Sequence, residues 1–137
     1  MEKYSDMRKL ILMMLFTIFV IGTASAQKTM YYVSDYYLDF IDKERINGKA
    51  VISFTKGKIK ISMGRDEMAF DIVTSKSFKE EKVIAYWVLY LAKDGKKIPG
   101  LIEYIGKDSE DEYPMISLKS GDKVHYGFNI VEVYTND

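Results

Sequence analysis

The chain contains no cysteine. That excludes disulfides, thiolate metal sites and cysteine nucleophiles, and a domain so built holds together by packing alone. Histidine occurs once, at His125. A Ser-His-Asp constellation would have to use it, and no Gly-x-Ser-x-Gly elbow is present to supply the serine. Charge of one sign is not in excess either, with 20 basic and 20 acidic residues. Nucleic-acid binding draws on a basic surplus, so that class is set aside. Proline is scarce, and Pro99 and Pro114 each fall near the start of a strand-like segment, where a missing amide donor is tolerated. No Pro-rich or Gly/Ser-rich stretch divides the chain, and no internal repeat is visible.

Long apolar runs are confined to the beginning. Arg8 and Lys9 precede an apolar stretch from Leu10 to Gly22, and Ala24-Ser25-Ala26 follows. Positive region, short apolar core and small-x-small site are the three parts of an export signal. The stretch falls short of the ~20 residues that span a bilayer as a helix. The expectation is a signal peptide over residues 1–26, cleavage near Ala26-Gln27, and a single all-β domain over residues 27–137. No cysteine follows the apolar run, so bacterial-type lipidation is excluded. The expected compartment is a Gram-negative periplasm or the external medium, with no stable membrane insertion after signal removal.

The remaining sequence is written in strand grammar. Ala50, Ile52 and Phe54 alternate with polar or outward residues, as do Ile59 and Ile61, and Met68, Phe70 and Ile72. A period of two marks strands with one buried face. Residues 83–92 are apolar on both faces, which places that strand centrally or under a cover. Ile98 to Ile105, Tyr113 to Lys119 and His125 to Tyr134 read as further strands. In the last, Tyr126, Phe128, Ile130 and Tyr134 fall on one face and Val131 and Val133 on the other. The expected core joins Trp87, Leu89, Phe70, Ile72, Ile61 and Phe54.

Turn residues recur at short intervals. Asn47-Gly48 is the strongest two-residue hairpin signal. Lys56-Gly57, Met63-Gly64-Arg65-Asp66, Asp94-Gly95-Lys96 and Ser120-Gly121-Asp122 are further glycine turns. Tyr31 to Arg45 reads as two strands, Tyr31 to Val33 and Tyr36 to Asp42, in preference to a helix capped by Ser34. Short connections favour antiparallel neighbours. The fold class expected is a small antiparallel β-meander of six to eight strands, a closed or partly open barrel, with a two-sheet β-sandwich as the alternative. In size it is similar to the calycin-like barrels, the lipocalin and fatty-acid-binding group. The likeness is one of shape, since the Gly-x-Trp of lipocalins is absent and Trp87 lies mid-chain.

Chemistry-bearing residues are weighed against ordinary surface roles. His125 reads as an outward side chain. Asp108 to Glu112 reads as a solvated acidic loop rather than a calcium loop, because it lacks a central glycine and crowds its acids. Lys56, Lys58, Lys60 and Arg65 lie on one hairpin, either as a solvent face or as a site for a polyanion. Asp71 and Glu103 fall on the polar side of their strands and so point outward. Tyrosine is abundant, at 11 residues. Its rigid body and polar tip suit binding surfaces, and it is also a common strand former. The ligand-binding candidates are Tyr86, Tyr90, Tyr104 and Tyr126.

These features point to an exported, non-catalytic binding module of the bacterial envelope, with no cofactor and no metal. Its partner would be a small apolar or sugar ligand, or an envelope protein. The alternative is a small periplasmic hydrolase, or an inhibitor of an envelope enzyme. Catalysis needs a base, an orienting group and charge stabilisers near one another, and the sequence shows no such cluster.

Overall fold

The computed structural model describes residues 28–107, 112–120 and 123–136; the expected signal peptide over residues 1–26, most of the acidic loop and Gly121-Asp122 lie outside the described residues. Eight strands follow one another: β1 (Thr29–Asp39), β2 (Glu44–Thr55), β3 (Lys58–Met63), β4 (Asp66–Phe78), β5 (Val83–Leu91), β6 (Lys97–Ile105), β7 (Met115–Ser120) and β8 (Lys123–Asn136). Each pairs antiparallel with the next, and β8 returns to β1, closing a meander barrel. Closure leaves no free sheet edge, and the two-sheet sandwich is thereby set aside.

Alternation decides which residues fill the interior. Ala50 and Ile52 from β2, Ile59 and Ile61 from β3, and Phe70 from β4 are buried. Val88, Ile102, Ile116, Phe128 and Ile130 meet them from β5 to β8. An interior of this calibre is filled by side chains rather than by a channel. Each buried Ile or Phe stabilises the fold by about 1.5–3 kcal/mol relative to exposure.

Three readings of faces need correction. Trp87 is 40% exposed and lies outside the barrel. Its neighbours Tyr86, Val88 and Tyr90 take the inward positions, with Tyr86 and Tyr90 packed against the core. Both faces of β5 are apolar, so composition does not choose between them; the partners do. Leu89 also faces outward, paired with Asp71 and Pro99. Tyr134 departs from the face of Phe128, because the register slips at Val131 and turns Tyr134 outward onto Tyr31.

The first hairpin is also placed differently. Asn47 and Gly48 lie within β2, and the turn falls at residues 40–43, with Lys43 at a φ of 55°. Residues 29–39 make one strand instead of two. The irregularity that Asn-Gly signals is a bulge: Ser34 pairs with Ala50 and Tyr36 with Asn47, leaving an extra residue on β2. The Ser34 hydroxyl donates to the Tyr36 carbonyl at 2.6 Å, fixing the kink from inside. The other described turns stand as read, with Gly57, Gly64 and Gly95 at positive φ.

Candidate functional site

The two ends of the barrel differ. One end gathers the starts of β1 and β5 with the ends of β2 and β6. There Tyr32 meets Phe54 at 5.1 Å and Tyr104 at 5.5 Å, and Phe54 meets Tyr86 at 5.0 Å. The rings plug that end. Burial pushes the Tyr32 and Tyr86 phenols above their ordinary range, and the neighbouring phenols add to it.

The opposite end is open. A mouth cavity of about 310 Å³ lies there, walled by Met68, Phe70 and Tyr90 on one side and by Leu118 and Tyr126 on the other. Two inward positions carry little side chain, Gly100 on β6 and Ser120 on β7, and both border the cavity. The room exists because larger residues are missing from those two places. A Cβ at Gly100 would come within 3.1 Å of the Lys119 carbonyl oxygen and 3.6 Å of Val88. The strands there are close enough that growth at Gly100 must turn into the mouth.

The β1–β2 turn hangs over this opening. The Asp39 carboxylate accepts from the amides of Ile41 and Asp42 at 2.9 and 3.0 Å. The Phe40 amide donates to the His125 carbonyl at 3.0 Å, tying the turn to β8. Phe40 then lies against Gly127, where any Cβ would come within 3.2 Å of its ring. Ile41 is left at the cavity rim, 58% exposed. An exposed isoleucine beside an apolar mouth is half of a hydrophobic contact that a ligand can complete.

Polar groups at this end are few. Tyr126 stands 6.1 Å from Tyr37 and 6.0 Å from Phe128, ring to ring. Burial raises the Tyr126 phenol above its ordinary range, helped by Asp39, Tyr37, Asp42 and Asp66. Burial likewise raises Tyr37, with Asp39 and Asp66 contributing. Both phenols therefore stay protonated and able to donate. His125 is half-buried and borders the cavity, as does Lys119, whose side chain pairs with Glu103 on the outer wall.

The four candidate tyrosines divide. Tyr90 and Tyr126 line the mouth, and Tyr86 and Tyr104 belong to the aromatic plug at the other end. Sequence reasoning missed Gly100, Ser120 and Ile41. A glycine at an inward position of an otherwise bulky alternation was the available signal. Glu103 and Asp71 do face outward, and each is held by a lysine: Lys119 at 2.7 Å and Lys58 at 2.8 Å. Among the described residues no three His, Asp or Glu side chains are grouped to hold a metal. The His125 side chain makes no hydrogen bond or ion pair among the described residues.

No family model matches the chain, and neither a curated protein nor a solved structure shows significant similarity to it.

Proposed function

We propose that this barrel is an exported, non-catalytic binding module of the bacterial envelope that takes one small, largely apolar ligand in its open mouth. The observation that carries the reading is the apolar cavity of about 310 Å³ where the inward positions are Gly100 and Ser120. That volume lies at the small end of the range for ligand pockets, about 300–1,000 Å³. The ligand is accordingly two or three small rings or a short acyl chain. Its polar atom would be met by the protonated Tyr126 hydroxyl or by His125. Binding is favoured over catalysis because, among the described residues, no acid orients His125, and Glu103 is neutralised by Lys119 and does not line the cavity.

Life in water after export is supported by the distribution of side chains. The interior is Ile, Phe and Val, while the outer wall of β3 shows Lys58 and Lys60. A lipid-embedded barrel has the opposite arrangement, apolar outside and polar within. The export itself rests on residues 1–26.

Fluorescence titration with N-phenyl-1-naphthylamine tests the proposal. The probe should brighten on binding at a stoichiometry of one. Gly100→Leu, which fills the mouth, should abolish the response while circular dichroism still reports a folded β-protein. Undiminished brightening in a folded Gly100→Leu variant would overturn the mouth as the site.

A further inference from the structure

The outer wall carries a second concavity, built by register rather than by loops. Tyr31 pairs with Ser53, Ser53 with Lys60, and Lys60 with Ala69, so these four form one transverse row across β1 to β4. Neighbours directly opposite on one face of a sheet stand about 4.5–5.5 Å apart. Ser53 and Ala69 are small, and the row therefore dips between Tyr31 and Leu91. The resulting trough has a volume of about 300 Å³.

Three chemistries meet in it. Tyr31 stacks on Tyr134 of β8 with centroids 4.9 Å apart and planes at 17°. The stack orders the Tyr31 ring on the β8 side, and Ser53 is its cross-strand neighbour on β2. Hydroxyls lie along the trough: Ser53, and the Thr29–Thr55 pair with oxygens 3.0 Å apart. Lys58 also borders the trough, but Asp71 matches its charge at 2.8 Å. Lys60 is exposed and has no ion pair among the described residues.

We propose that this trough binds an anionic saccharide, with one sugar ring stacked on Tyr31, its hydroxyls meeting Ser53 and the Thr29–Thr55 pair, and its acidic group on Lys60. A flat aromatic face takes the apolar C–H side of a sugar, and a lysine takes a carboxylate or sulfate as a point charge. A polynucleotide fits less well. It gains affinity by neutralising several phosphates in a row, and the trough offers one unmatched cation. The groups that would bind here, Tyr31, Ser53, Lys60 and the Thr29–Thr55 pair, border the trough and not the mouth, although Phe70 borders both.

Isothermal titration with trigalacturonate at low salt tests the inference, with maltotriose as the neutral control and an oligothymidylate as the polynucleotide control. Trigalacturonate should bind and maltotriose should bind more weakly. Lys60→Gln should weaken trigalacturonate about fivefold or more, the effect of losing one charge-assisted hydrogen bond at a surface. Tyr31→Phe, which keeps the stack, should retain binding, and Tyr31→Ala should lose it with the melting temperature recorded alongside. No binding of trigalacturonate, equal affinity for maltotriose, indifference to Lys60→Gln, or tighter binding of the oligothymidylate would each overturn the proposal.

Discussion

Val88 and Gly100 face each other across β5 and β6, and the side chain missing from Gly100 opens the barrel mouth. The pair is asymmetric by necessity. Val88 is 2% exposed and belongs to the core, while a Cβ at Gly100 would already touch it at 3.6 Å. Gly100→Ala places that Cβ 3.1 Å from the Lys119 carbonyl, so β7 must give by a few tenths of an ångström. The expected cost is about 1–3 kcal/mol, the range for overpacking a well-filled interior. Chemical denaturation should show it as a lower midpoint with an unchanged slope.

Phe128 and Trp87 should respond to truncation in opposite ways. Phe128 is fully buried, and Phe128→Ala should cost about 3–5 kcal/mol. Trp87 is 40% exposed on the outer wall, so Trp87→Ala should cost clearly less. Because Trp87 is the single tryptophan, acrylamide should quench the fluorescence of the folded protein. Equal midpoint shifts for the two variants, or an unquenched folded state, would place Trp87 inside.

The contrast shows how far the sequence reaches. Strands whose two faces differ chemically, such as Lys58 to Met63, are oriented by alternation alone. Ile59 and Ile61 are buried opposite Lys58 and Lys60 as their spacing requires. β5 has no such contrast, and its orientation follows from long-range pairing with β4 and β6, which no local pattern encodes. Bulges act similarly. One extra residue at Val131 reverses the face of everything beyond it, and Asn47-Gly48 marks an irregularity without saying whether it ends the strand. The mouth was legible only in part, through Tyr90 and Tyr126. A cavity is made by what is small at inward positions, and inwardness is a product of the closed fold.

Asp39 fixes the turn that overhangs the mouth. Its carboxylate is buried and accepts two amides at 2.9 and 3.0 Å. Hydrogen bonds to a charged group contribute about 1.5–3 kcal/mol, so Asp39→Ala should destabilise the protein measurably and Asp39→Asn less. Ile41 would lose its fixed place at the rim, and N-phenyl-1-naphthylamine should bind more weakly. Amide hydrogen exchange at Ile41 and Asp42 should quicken in Asp39→Ala. Unchanged exchange there would mean that the tie from Phe40 to His125 suffices to hold the turn.

The raised tyrosines should make stability fall at alkaline pH. Tyr32, Tyr37, Tyr86 and Tyr126 are all raised above the ordinary phenol value of 10.0, each chiefly by burial. In the folded protein these phenols hold their protons at pH values where the unfolded chain releases them. The unfolded state then binds fewer protons, and stability falls with rising pH. The contribution is fully present below pH 10, begins to fall there, and is lost as pH passes the raised folded values. Urea unfolding followed by circular dichroism, stepped upward from pH 9, should show a midpoint that holds and then drops beyond about pH 10. Tyr32→Phe and Tyr86→Phe remove the titrating hydroxyl and keep the ring in the plug. The double variant should lose less stability over the same steps than the parent protein. An equal alkaline drop in both would assign the loss to other groups and would mean that the plug phenols titrate as if in water.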